Sequence, residues 1–149
     1  MRIVIQRTNK ASVKVNETVV GKINQGLVIL VGFTNGDTEQ IMDKMIKKLL
    51  NLRIFNDDNN VMNKSILDIN GSILSISQFT LYADTKKGNR PSYNKALEYE
   101  KASNLYNIFN NKLKQQIHTE MGIFGSDMQV QLVNDGPVTI ILESEELYG

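Results

Sequence analysis

Residues 27–33 read Leu27-Val28-Ile29-Leu30-Val31-Gly32-Phe33, apolar on both faces of an extended chain. That run decides the fold. Seven residues are far short of the roughly 20 that cross a bilayer as a helix, and the length suits a central strand buried on both sides. Working outward, Asn24-Gln25-Gly26 reads as a turn, Thr18 to Ile23 as a strand and Asn16-Glu17 as a hairpin turn. Val13 and Val15 alternate with Ser12, Lys14 and Asn16, and Ile3 and Ile5 alternate with Arg2, Val4 and Gln6. The N-terminal third therefore predicts a β-meander.

Toward the C-terminus, Thr34-Asn35-Gly36 ends the run, and Asp37 with Gln40 three residues later forms a capping-box pattern. The helix it predicts carries Ile41, Met42, Met45, Ile46, Leu49 and Leu50 on one stripe. Asn56 to Asn60 lacks the glycine and closing glutamate of a calcium loop, so it reads as a solvated turn. Asn70-Gly71 introduces a strand at Ser72 to Ser77, and Ala102, Leu105, Tyr106, Phe109 and Leu113 mark a second amphipathic helix from about Glu98 to Gln116. Met128 to Leu132 and Val138 to Leu142 read as closing strands on either side of Asn134-Asp135-Gly136-Pro137. Residues 1–149 are thus expected to form one α+β domain: a mostly antiparallel, barrel-like sheet with two main amphipathic helices.

Composition narrows the chemistry. The 149 residues carry 17 Lys plus Arg against 16 Asp plus Glu, so the net charge of +1 gives no global pull toward nucleic acid or acidic lipid, and RNA contact requires a local patch. There is no cysteine, which excludes disulfides, thiolate nucleophiles and sulfur-ligated metal, and suits a reducing, cytoplasmic setting. The single histidine, His118, is expected near the end of the second helix, as a surface residue or one in its last turn that complements the dipole, and dispensable for catalysis. Neither GxGxxG, GxxxxGK[ST] nor GxSxG occurs. No metal or cofactor is expected.

Two loops stand apart because they hold the only two prolines: Lys87-Gly88-Asn89-Arg90-Pro91-Ser92 and Asn134-Asp135-Gly136-Pro137-Val138-Thr139. A bent Gly-Pro backbone aims carbonyls at a ligand, or it simply turns the chain before a final strand. Together with Ser77-Gln78-Phe79-Thr80-Leu81, the second loop resembles the D-aminoacyl-tRNA deacylases, formerly called D-tyrosyl-tRNA deacylases. Supporting similarity runs through Gln6-Arg7, Leu52-Arg53-Ile54-Phe55, Lys87 to Tyr93 and Gly122 to Met128, nearly the whole chain. Asn89 stands where the family often has arginine, and Tyr93 where phenylalanine is frequent.

The resemblance implies a homodimeric enzyme that hydrolyses the ester between a D-amino acid, or misattached glycine, and the terminal adenosine of tRNA. Neither DNA nor membrane is implied as a partner. Ser77, Gln78, Phe79 and Thr80 of one subunit would line the aminoacyl pocket, and Gly136-Pro137 of the other would enter it with a cis bond and exclude L side chains. Thr80 would position substrate or attack it; no neighbouring histidine or lysine is placed to activate it. The favoured chemistry is assistance by the ribose 2′-OH with backbone N–H groups around Phe79 and Thr80 holding the oxyanion. Arg7, expected at the end of the first strand, would hold the Gly136-Pro137 loop or lie on the surface. Phe79 would stack on adenine or fill the core, and Met128 would border the adenosine. Lys86, Lys87, Arg90 and Lys95 offer a local footprint for acceptor phosphates or form a solvated loop. The rivals are a noncatalytic RNA-binding module, expected to lack one of the two motifs, and a general ester hydrolase, expected to carry an activated side-chain nucleophile.

Overall fold

The 27–33 run lies in the middle of the sheet in the structure, a computed structural model that describes all of residues 1–149. In chain order the elements are β1 (Arg2–Val15), β2 (Thr18–Ile23), β3 (Gly26–Gly32), α1 (Glu39–Asn51), β4 (Phe55–Asn56), β5 (Met62–Lys64), β6 (Ser72–Ser77), a 3-10 turn (Phe79–Tyr82), α2 (Tyr99–Lys114), β7 (Thr119–Met121), β8 (Gln129–Glu143) and α3 (Ser144–Tyr148). β3 pairs antiparallel with β1, Ile5 opposite Ile29, and parallel with β6, Leu27 opposite Ile73. Two neighbours and two covered faces explain its unbroken apolar reading.

The β-meander expectation needs correction. β2 and β3 are not neighbours: β1 takes β3 along residues 2–8 and β2 along residues 11–15 of one edge, and β8 along the other. Fourteen residues extend roughly 45 Å, enough for two partners placed end to end. The two closing strands are likewise one interrupted strand, β8, whose register against β1 slips between Gln6 and Thr8 and between Thr8 and Ala11. With β6 and β7 parallel, the six-stranded sheet runs β2-β1-β3-β6-β7 with β8 on β1, an α+β, nearly closed and barrel-like arrangement that is antiparallel around β1.

Alternation sorts the core into two clusters. Ile3, Ile5, Leu27, Ile29, Val31 and Ile73 meet the helices, where α1 contributes Met42, Met45, Ile46, Leu49 and Leu50 and α2 contributes Ala102, Tyr106, Phe109 and Leu113. Ala11, Val13, Ile23, Val28, Leu74 and Ile76 fill the opposite side of the sheet. Both helical stripes pack as their spacing predicts. The cap of α1 differs: Thr38, not Asp37, accepts from the Ile41 amide at 3.2 Å. Asp37 is drawn away by stronger partners, the Thr34 amide at 2.7 Å and the Met1 ammonium, which also donates to Ser144 Oγ at 2.6 Å.

Candidate active site

The end of β6 and the loop before β8 build the candidate site. The Gln78 amide continues the parallel ladder by donating to the Val31 carbonyl at 2.8 Å, and the chain then tightens into the 3-10 turn, where the Ala83 amide donates to the Thr80 carbonyl at 3.1 Å. Such a turn leaves its first amides without internal acceptors. The N–H groups of Phe79 and Thr80 have no partner among the backbone or side-chain hydrogen bonds. Gln78 Nε2 donates to Thr80 Oγ, which fixes that hydroxyl as an acceptor toward Gln78 and leaves its proton for another partner.

Beside this turn opens a cleft of about 660 Å³. Ser77, Gln78, Phe79 and Met128 all line it, so four of the eight predicted site residues share one cavity although about 50 positions separate the two ends in sequence. Thr80 follows them along the turn, half-buried, outside the lining. Phe79 is 57 % exposed and meets Tyr93 edge-on at 5.0 Å, which rules out the core-filling alternative. No lysine or arginine lines the cavity, and Glu98 and Asp127 do.

The structure does not bring Arg7, Gly136 and Pro137 into this cleft. Arg7 is in mid-β1, not at a strand end, because β1 runs on to Val15. It is buried, and its Nε donates to the Asp135 carbonyl at 2.8 Å while an Nη donates to the Ile54 carbonyl at 2.8 Å. The surface alternative for Arg7 is thereby excluded. Asn134 closes the loop from the other side: its Oδ1 accepts from the Val138 amide at 2.7 Å. The Gly136-Pro137 peptide is cis, and both residues are exposed. Gly136 has φ +140°, and a Cβ there would stand 2.8 Å from Val138 Cγ2 and 3.2 Å from an Arg7 nitrogen, so the position requires glycine.

The cationic loop is tethered at its base. Asp84 and Ser92 exchange backbone hydrogen bonds of 2.7 and 2.9 Å, and Lys95 lies 3.6 Å from the Asp84 carboxylate. The Lys86 amide, and then the Lys95 charge, hold the Asp84 carboxyl below its ordinary pKa of 3.8. The carboxylate's share of the tether is therefore present above that value and fades as pH falls through the lowered one, while the two backbone bonds do not titrate. Lys86, Lys87 and Arg90 are exposed without carboxylate partners, leaving their charge for an anion.

Bases are scarce. Burial raises the phenols of Tyr106 and Tyr82 above the usual tyrosine range, with Glu143 and Asp37 adding to the rise at Tyr82, so both stay neutral. His118 is exposed, 3.7 Å from Glu120, and lies shortly beyond the end of α2 at Lys114, the surface position rather than the last-turn one of the two expected. No group of three or more His, Cys, Asp or Glu side chains converges. Sequence reasoning missed Tyr99 and Phe124, which also line the cleft. The only local signal was an aromatic ring on the polar side at the start of α2.

Comparison with known proteins agrees with the geometry. A family model described as D-Tyr-tRNA(Tyr) deacylase matches residues 4–143. A solved structure described as "c-Myc DNA Unwinding Element Binding Protein" shares 39 % identity and superposes with a TM-score of 0.91, the match covering 96 % of this chain and 98 % of that one. Another, described as "Structural Analysis of a probable eukaryotic D-amino acid tRNA deacylase", is 16 % identical with a TM-score of 0.82 over 95 % of this chain and 97 % of that one, a likeness of fold. The family match, which runs almost end to end, makes this protein a member of the D-Tyr-tRNA(Tyr) deacylase family, hydrolases of aminoacyl-tRNA ester bonds.

Proposed function

We propose that residues 1–149 act as one catalytic domain that removes D-amino acids, and misattached glycine, from the 3′ end of tRNA as a cytoplasmic homodimer without a cofactor. The observation that carries this reading is the pair of unpaired N–H groups at Phe79 and Thr80 beside a cleft free of cations. Free backbone donors of this kind suit the oxygen that gains charge when water adds to an ester carbonyl. With no histidine lining the cleft, the substrate's own 2′-OH assists the attacking water. The tetrahedral intermediate then collapses, the ribose 3′-oxygen leaves with a proton, and free amino acid and tRNA result. Ser77 and Gln78 shape the pocket, and Thr80, held by Gln78, positions the ester rather than attacking it.

Chirality is imposed by Gly136 and Pro137 of a second subunit. Within one protomer these residues lie away from the cleft on β8, whose exposed face also carries Val133 and Ile141. Burying that face against another copy brings the loop to the partner's cleft. A wall of backbone carbonyls there clashes with an L side chain and leaves room for glycine or a D residue. Arg7 holds the wall from behind, and Met128 borders the adenosine. Lys86, Lys87 and Arg90 meet the acceptor phosphates, with Lys95 beside them. The net charge of +1 favours neither DNA nor membrane as a further partner.

The test is release of tyrosine from matched D-Tyr-tRNA and L-Tyr-tRNA by the purified protein. Hydrolysis confined to the D ester supports the reading. A folded dimer that binds tRNA and turns over neither ester would instead identify a noncatalytic RNA-binding module.

A further inference from the structure

Tyr99 opens α2, is 64 % exposed, and lines the same cleft as Phe79. An exposed aromatic ring is ordinarily mobile. This one is held: Phe124 meets it edge-on at 5.1 Å, and Phe124 is itself backed by the buried Tyr106 ring at 5.8 Å. Gly125 lies beneath it with φ +76°, and a Cβ there would stand 2.3 Å from the Tyr99 hydroxyl and 2.8 Å from the ring. The backbone makes room for the ring and then leaves the ring in water.

The cleft thus contains two edge-on aromatic pairs, Phe79 with Tyr93 and Tyr99 with Phe124, each with one strongly exposed ring. An edge-on partner covers at most one face of a ring, so a face remains for a flat ligand. The carboxylates of Glu98 and Asp127 and the absence of lining cations disfavour a phosphate and suit a neutral group with amino donors. A nucleobase has these properties.

We propose that Tyr99 is a substrate-positioning residue that stacks on the terminal base of the tRNA acceptor end, giving the cleft a second aromatic contact in addition to Phe79. This rests on the deacylase reading above. Because Tyr99 contacts the base and not the acyl group, its contribution is the same for every amino acid carried.

The experiment compares wild type, Tyr99→Ala and Tyr99→Phe on D-Tyr-tRNA and D-Ala-tRNA, and measures binding of two short uncharged RNAs, one ending in CCA and one in CC. Loss of one stacking contact is expected to raise KM about tenfold for both esters with kcat unchanged, while Tyr99→Phe stays within about twofold of wild type. Wild type should prefer the CCA oligonucleotide and Tyr99→Ala should lose that preference. An unchanged KM, an effect confined to D-Tyr-tRNA, or a Tyr99→Phe defect equal to that of Tyr99→Ala would each overturn the assignment. The oligonucleotide arm needs no turnover, so it still reads Tyr99 if the chain proves not to cleave D esters.

Discussion

The turn after β6 and the loop within β8 solve opposite problems with backbone. At Phe79 and Thr80 the chain leaves two N–H donors unpaired next to a cleft. Around Gly136 and Pro137 the polar groups are engaged: Arg7 caps the Asp135 carbonyl, and Asn134 spans the loop to Val138. The first region is unfinished until a ligand arrives, whereas the second is finished and points outward. A backbone that must stabilise developing charge needs free donors, and a backbone that must exclude a side chain needs rigidity. On the proposed reading, chemistry belongs to the first and selection to the second.

The largest effect should come from removing a donor without disturbing the turn. Gln78 is extended, with φ −149° and ψ 91°, so proline is tolerated at the following position, the first of the 3-10 turn. Phe79→Pro should therefore lower kcat on a D ester by about 10² to 10³ while the melting curve changes little. Next, Gly136→Ala forces a methyl group against Val138 and should reduce D-ester turnover about tenfold or more by displacing the wall, with the cleft still binding a CCA oligonucleotide. Arg7→Ala strips the donors from two carbonyls and should destabilise the fold by about 2 kcal/mol in urea titration. Thr80→Val removes the hydroxyl that Gln78 holds and should keep measurable hydrolysis, within about tenfold of wild type; total loss in a folded dimer would make Thr80 the nucleophile. His118→Ala should leave the rate unaltered, since the ring is exposed.

Local signals carried much of the fold. The two-residue alternation of Ile3 with Ile5 and of Val13 with Val15 marked both ends of β1, and the stripes from Met42 to Leu50 and from Ala102 to Leu113 marked the helices. What remained hidden was non-local. That β1 is continuous through Arg7, sharing one edge between β2 and β3, depends on pairing register and bulges, which adjacent residues do not encode. β7 is three residues long, too short for a period. In the site, Ser77 to Thr80 and Gly136-Pro137 could be read as motifs. Their separation within one protomer, and the approach of Met128 and Tyr99 to Phe79, arise only when the sheet curls and α2 packs on it.

Mixing two crippled chains tests the central contrast most directly. Phe79→Pro and Gly136→Ala are each prepared as inactive or weakened homodimers, then unfolded together in equal amounts and refolded. If chemistry and selection meet across a subunit interface, half of the dimers are mixed and each carries one site with both elements intact, so D-ester hydrolysis should recover to about a quarter of the wild-type rate. No recovery in a refolded, dimeric mixture would contradict a shared site and place both elements within one chain.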